Sequence, residues 1–161
     1  MYIKYNLLLL FLTLSMNALS NISNNPSNWY VVTDQVMGGK SELQVSVDGG
    51  VFSLNGYVTT ENNGGFVRLA HSPENVDKEV KGIRFMAKGN NETYEVHVTM
   101  QGLRMPPWAY HSSTFDVNTE WKMFEINFSD FEKKSGVSGR LLPNNIRDIS
   151  FAGYGRDFDV D

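Results

Sequence analysis

Four polar side chains alternate with apolar ones along a single β-patterned segment, TYEVHVTMQ. The alternation places Glu95, His97, Thr99 and Gln101 on one face of the predicted strand. A carboxylate, an imidazole and an amide side by side can exchange hydrogen bonds with hydroxyl or amide groups of a ligand. We therefore predict that Glu95, His97 and Gln101 contribute to a binding surface.

The loop after this strand, GLRMPPWAYH, carries the most prominent aromatic group of the chain. Its two prolines restrict the backbone, so Arg104, Trp108 and Tyr110 could be displayed at low entropic cost. Aromatic rings stack on the C–H faces of sugars, and Trp, Tyr and Arg are also enriched at protein-binding hot spots. We predict that these three residues bind a ligand. The alternative is that Trp108 and Tyr110 pack at the edge of the fold.

Catalysis finds little support among the titratable residues. His71, His97 and His111 form no metal-binding or catalytic spacing, and the sequence contains no cysteine. A general base made of His97 with Glu95 or Asp116 is the one catalytic arrangement to consider, but no nucleophile motif accompanies it. We predict three partly exposed imidazoles and a protein that is not an enzyme.

The carboxylates do not form a convincing metal site either. Asp157, Asp159 and Asp161 are spaced like the start of a calcium loop, but they lack its glycine and its distal glutamate. The sequence therefore predicts no metal ligands and no cofactor.

Two glycine-containing segments, VMGG and ENNGGF, bracket a pair of β-patterned runs. Adjacent glycines with neighbouring asparagines supply backbone positions with positive φ, or allow close approach of two chain segments at strand ends. We expect a structural role for both segments rather than a catalytic one.

These segments, with a preceding tryptophan and an aspartate, resemble the complex I intermediate-associated protein 30 family. The residues that carry the resemblance are Trp29, Asp34, Val36, Met37, Gly38, Gly39, Ser41, Glu61, Asn62, Asn63, Gly64, Gly65 and Phe66. The resemblance implies a jelly-roll β-sandwich of the galactose-binding-like kind. Eukaryotic members of the family are assembly chaperones of respiratory complex I, and many bacterial members have no assigned role. Related jelly rolls often carry a structural Ca²⁺, for which the sequence identifies no ligands.

The rest of the chain is consistent with such a fold. Apolar residues alternate with polar ones in several short runs separated by Gly, Asn and Pro, a pattern typical of antiparallel sheets with one covered face. Asp48-Gly49-Gly50 predicts a hairpin turn. We assign one domain to residues 29–161, with Trp29 and Trp121 in the core, a single helical turn near 129–134 and a short last strand after Phe158.

The first residues indicate export. Lys4 followed by the apolar run 7–14 and Ala18-Leu19-Ser20 is typical of a signal peptide, predicted over residues 1–20 and followed by a polar leader, 21–28. A secreted or periplasmic protein without a membrane span after cleavage is expected. The formal net charge of −4 argues against a nucleic-acid partner.

Together these observations predict an exported, non-catalytic binding module that resembles an assembly factor and binds a protein partner. The alternative is a carbohydrate-binding module that uses the aromatic loop and the polar strand face.

Overall fold

The computed structural model describes residues 25–102, 109–134, 136–137 and 139–161. The predicted signal peptide lies outside this range, and so do Arg104 and Trp108. Among the residues described, no helix is long and apolar enough to cross a bilayer.

Strands make up most of the ordered structure. They are β1 (Trp29–Thr33), β2 (Glu42–Asp48), β3 (Val51–Val58), β4 (Phe66–His71), β5 (Gly82–Ala87), β6 (Thr93–Met100), β7 (His111–Asp116), β8 (Lys122–Asn127), β9 (Glu132–Lys133), β10 (Ile146–Tyr154) and β11 (Phe158–Val160). Short 3₁₀ turns span Pro26–Asn28, Asp34–Met37, Glu61–Asn63, Phe128–Asp130 and Pro143–Asn145.

The strands form two layers. One layer is a six-stranded sheet in the order β1-β4-β10-β6-β7-β9. The other consists of a three-stranded sheet, β11-β3-β2, and a two-stranded sheet, β5-β8. The strand pairs in all three sheets are antiparallel. The prediction of an all-β sandwich of antiparallel strands is therefore confirmed.

The core lies between the layers and follows the predicted alternation. Val96 and Val98 of β6 are fully buried, and they stand opposite Phe151 and Ile149 of β10. Burial of each such aliphatic side chain stabilises the fold by about 1.5–3 kcal/mol. The hairpin turn between β2 and β3 falls at Gly49 and Gly50, as predicted, and both have positive φ.

The second layer is not a continuous sheet. Of the residues described, those of β5 pair only with β8, and β11 pairs only with the end of β3, at Gly56–Val58. The last strand is thus short, as expected. Inward side chains beside this interruption, such as Leu54 and Phe85, are only half-buried.

Two predictions about local structure are wrong in part. Trp121 is 49% exposed because it precedes an outer strand, where the Lys88 ammonium lies 5.6 Å from its ring centroid; Trp29 does pack on the core rings of Phe52 and Phe151. The helical turn is confined to Phe128–Asp130, since the residues that follow pair with β7 as β9.

Candidate functional site

The six-stranded sheet has a second face, which points away from the core. Cross-strand pairing sets its composition, because directly opposed residues share a face. Ala152 stands between Arg68 and Glu95, and Ser150 stands between Ala70 and His97. We call this surface the outward face, defined by Tyr30, Phe66, Arg68, Glu95, His97, Tyr110, Asp148 and Tyr154.

Arg68 lies at the centre of this face between two aromatic rings. Its guanidinium carbon is 4.7 Å from the ring centroid of Phe66 and 5.0 Å from that of Tyr110. Within the described chain it makes no ion pair, and its buried Nε has no hydrogen-bond partner. Burial lowers the pKa of Arg68, but an arginine side chain stays protonated in proteins. Arg68 is therefore a partly buried cation that makes no direct ion pair within the described chain, although the nearby Glu95 carboxylate acts to raise its pKa.

The ring of Tyr110 contacts His97 as well as Arg68. This ring lies 3.9 Å from the His97 ring at an interplanar angle of 21°, and Tyr154 packs edge-on against His97 at 5.4 Å. Tyr110 is only 3% exposed, so its ring is not displayed to solvent and the expectation of display is wrong. Burial and the neighbouring Tyr154 raise the pKa of Tyr110, which keeps its hydroxyl protonated. The ring instead fixes the positions of Arg68 and His97.

His97 is buried as well, although it lies on the polar side of β6. Its Nε2 is 2.6 Å from an Oε2 oxygen of Glu95, while its Nδ1 has no partner in the described chain. Burial lowers the pKa of His97 to about 4, so at neutral pH the imidazole is uncharged and donates to Glu95. His71 and His111 are also buried, and the prediction of three partly exposed imidazoles is wrong because all three lie under neighbouring rings or strands.

The predicted pairing of His97 with Glu95 is thus present, whereas Asp116 accepts a hydrogen bond from Thr93 instead. A base whose free nitrogen, here Nδ1 of His97, is buried is poorly placed to take a proton from substrate.

Gln101 lies at the end of β6, where its side chain is exposed and its amide donates to the carbonyl of Ile146 at 3.3 Å. Of the six predicted binding residues, the structure brings Glu95, His97 and Tyr110 into one cluster with Arg68. Gln101 lies apart from that cluster.

A second polar cluster borders the outward face around Asp148. Its carboxylate accepts hydrogen bonds from Tyr30 at 2.9 Å, Ser72 at 2.6 Å, Thr99 at 2.9 Å and Arg147 at 2.7 Å. Partial burial raises the pKa of Asp148, but these four donors outweigh it and the net shift is downward. Asp148 therefore remains an ordered carboxylate beside Tyr30, whose ring is 42% exposed.

The two glycine-containing segments meet at Asp34, which is fully buried. Its carboxylate accepts from the N–H and Oγ of Ser41 at 2.9 and 2.5 Å, and from the N–H groups of Gly65 and Phe66 at 2.6 and 3.3 Å. Burial raises the pKa of Asp34, but these hydrogen bonds outweigh it and the net pKa is lowered. We call these four residues the Asp34 cluster.

The Asp34 cluster explains why its neighbours are glycines. A Cβ on Gly39 or Gly64 would overlap the Asp34 carboxylate, and Gly65 has φ +124°. Asn62 and Asn63 also have positive φ, and the Asn62 amide donates to the carbonyl of Gly38 at 3.3 Å. Because the cluster binds the first backbone groups of β4, it sets the position of Phe66 and, two residues on, of Arg68.

Sequence reasoning missed several of these residues. Arg68 is a single cation inside the apolar strand FVRLAH, and that contrast was the signal available for it. Tyr30, Tyr154 and Asp148 carry no comparable signal, because only the strand order brings them beside Arg68 and Glu95.

No metal centre accompanies this face in the described part of the chain, where no three His, Cys, Asp or Glu side chains gather. Asp157, at the start of the acidic terminal run, accepts from the N–H and Oγ of Thr60 at 2.7 and 2.8 Å. Its carboxylate therefore ties β11 to the turn after β3.

Comparison with solved structures shows the fold. A family 11 carbohydrate-binding module from Clostridium thermocellum, in complex with a β-1,3-1,4-mixed-linked tetrasaccharide, matches with a TM-score of 0.64 and 20% identity, over 83% of this chain and 85% of that chain. The family 11 module of the cellulosomal cellulase Lic26A-Cel5E of the same organism matches with a TM-score of 0.60 and 20% identity, over 83% and 84% of the two chains. These likenesses confirm the predicted jelly roll.

Sequence comparison adds the family. No curated protein matches the chain significantly. The family model for complex I intermediate-associated protein 30 matches residues 19–157, which include both glycine segments, the Asp34 cluster and the outward face. The chain belongs to the complex I intermediate-associated protein 30 family.

Proposed function

We propose that this chain is an exported, non-catalytic binding module that holds a protein partner through its outward face, as an assembly factor does. The single observation that carries the proposal is Arg68, a partly buried cation set between two aromatic rings, which makes no direct ion pair in the described chain and whose Nε has no hydrogen-bond partner there. Membership of a family named for association with complex I intermediates supports a role in assembly.

The chemistry of the partner follows from the charge of Arg68. A carboxylate from the partner would form a charge-assisted, two-point pair with the guanidinium. Because the rings of Phe66 and Tyr110 already hold Arg68 in place, little side-chain entropy would be lost on binding. Arginine and tyrosine in such packed, desolvated positions commonly dominate the energy of protein interfaces.

A non-catalytic role agrees with the state of His97. Its imidazole is 1% exposed and its free nitrogen, Nδ1, is buried, so His97 is not an accessible general base. The solved structures with the same fold are carbohydrate-binding modules, which are binding domains.

The test is capture of partners from the native cell envelope by the protein from Asn21 onward. Arg68→Gln should weaken capture of a specific partner by about tenfold or more, as expected for loss of a buried interface arginine. Arg84→Gln is the matched control, because Arg84 lies on the other layer, exposed and paired with Glu125. Equal capture by both variants would contradict the proposal.

A second candidate, carbohydrate binding, is favoured by the rim of the outward face. The rings of Tyr154 and Tyr30 are 38% and 42% exposed, and the carboxylates of Glu95 and Asp148 lie beside them. Exposed rings with hydrogen-bonding groups alongside are what sugar recognition needs. The family 11 module solved in complex with a mixed-linked tetrasaccharide has the same fold.

A glycan array, run with Ca²⁺ and with chelator, tests this candidate. We expect any genuine glycan signal to disappear in Tyr154→Ala and to persist in Tyr57→Ala, since Tyr57 is equally exposed, at 38%, but lies on the other layer. A blank array from folded protein, or a signal lost equally in both variants, would remove glycan binding at this face from consideration.

A further inference from the structure

A cleft of about 1700 Å³ opens in the second layer between β3 and β5 and extends along the connection between β4 and β5, residues 72–81. Consecutive residues of both strands line it, from Gly50 to Leu54 and from Gly82 to Gly89. Because side chains alternate between the faces of a strand, an unbroken run of lining residues means that the strand's edge borders the cleft. By contrast, β4 contributes alternate residues, as a strand does when it presents one face.

Both bordering edges lack backbone partners. In the parts of the chain that the structure describes, β5 pairs on one side only, with β8. On the side of β3 away from β2, pairing with β11 covers Gly56–Val58 and stops there. The stretch from Val51 to Asn55 and the free edge of β5 therefore present unpaired N–H and C=O groups to the cleft.

The path of β11 indicates how an added strand would run through the cleft. β11 runs antiparallel to β3, and the carbonyl oxygen of Asp161 lies against Gly89, just beyond β5. The Asn90 amide also donates to the carbonyl of Asp159 at 2.6 Å. β11 thus joins the two edges at one end, and an extended chain on the same line would run along both.

The floor of the cleft is apolar. Phe52 and Leu54 of β3 and Phe85 of β5 point inward and are half-buried, with Trp29 and Phe151 beneath them. Two polar backbone edges above an apolar floor are complementary to an extended polypeptide with apolar side chains at every second position. A sugar or a lipid would leave the edge groups without regular partners.

We propose that this cleft binds an extended segment of another protein, which adds as a strand between β3 and β5. Alternate side chains of the segment enter the apolar floor, and its backbone pairs with both edges. At about 3.3 Å per residue, the six-residue length of β5 accommodates about six residues of the segment. The inference needs no residue of the outward face, so either proposal can fail without the other.

The probe is a synthetic peptide, acetylated and amidated, with the sequence Lys-Val-Thr-Val-Thr-Val-Thr-Lys. We expect saturable binding that protects alternate amides of Gly82–Ala87 and Val51–Asn55 from hydrogen exchange and changes Trp29 fluorescence. The control is the same peptide with its two central residues replaced by proline, which cannot donate to a ladder. It should bind about tenfold more weakly or worse, since two main-chain hydrogen bonds are lost.

Two protein variants locate the binding. Leu54→Lys places a charge on the cleft floor and should abolish binding, whereas Ser46→Lys, on the neighbouring strand β2 and outside the cleft lining, should not. If Leu54→Lys does not fold, the comparison of the original peptide with the proline-containing peptide, both on the unmodified protein, still tests the proposal. Equal binding of both peptides would identify the cleft as a general apolar site and overturn the proposal. Absence of binding, or dimers of this chain that protect the same amides, would overturn it too.

Discussion

At the scale of single residues, Arg68 is the group on which the outward face depends. A partly buried cation without a direct ion pair is costly, and stacking on Phe66 and Tyr110 offsets only part of that cost. A ligand carboxylate or hydroxyl would supply the missing acceptor. One charge within an apolar strand was a signal available in the sequence for Arg68, but the packing of Tyr110 on it was not, because that contact depends on strand order.

Protonation of His97 gives a pH dependence that can be measured. The pKa of His97 is 6.5 when exposed and about 4 in the fold, because burial disfavours the charged form. Between these values the unfolded chain binds more protons, so the free energy of unfolding falls as pH decreases from about 6.5 to 4. One such shift contributes roughly 3 kcal/mol over that range.

Urea unfolding at pH 7, 6 and 5 checks this expectation. The unmodified protein should lose stability at each step, and His97→Gln should lose less. Parallel losses in the two proteins would show that His97 is not the responsible group. If His97→Gln does not fold, an NMR titration of the His97 ring answers the same question, since a pKa near 6.5 would be inconsistent with its burial.

At the scale of elements, the Asp34 cluster joins the turn after β1 to the start of β4. Paired glycines and asparagines in the sequence indicated positive φ or close approach at these places, and Gly38, Asn62 and Asn63 do have positive φ. What the sequence did not indicate was the buried carboxylate that both segments bind. Its identification needed the fold, since 31 residues separate Asp34 from Gly65.

Gly64→Ala tests how tightly this cluster is packed. The added methyl group would overlap the Asp34 carboxylate, and we expect a loss of about 2 kcal/mol or more in the free energy of unfolding. Gly49→Ala is the matched control, because its space is open and only its φ of +55° is unfavourable, at a cost of about 1 kcal/mol. Denaturant unfolding compares the two variants. Equal losses of unfolding free energy would mean that the Asp34 carboxylate moves aside for the added methyl group at no energetic cost.

At the scale of the whole molecule, periodicity and family resemblance were sufficient for the jelly roll but not for the site. Alternation along β6 correctly placed Val96 and Val98 in the core, because every second residue of a strand in a sandwich faces the other sheet. The same alternation placed His97 on the polar side, where neighbouring rings bury it. Whether a residue on that side is exposed depends on side chains from other strands, and the alternation within one strand carries no information about them.

The central claim, that the outward face holds a protein partner, is tested most directly by photo-crosslinking in cells that make the protein. A benzoyl-phenylalanine residue at position 154 would stand on the outward face, and one at position 57 would stand equally exposed on the other layer. The account predicts a discrete crosslinked partner from position 154 that Arg68→Gln removes, and none from position 57. A partner captured from position 57 alone, or from position 154 regardless of Arg68, would contradict it.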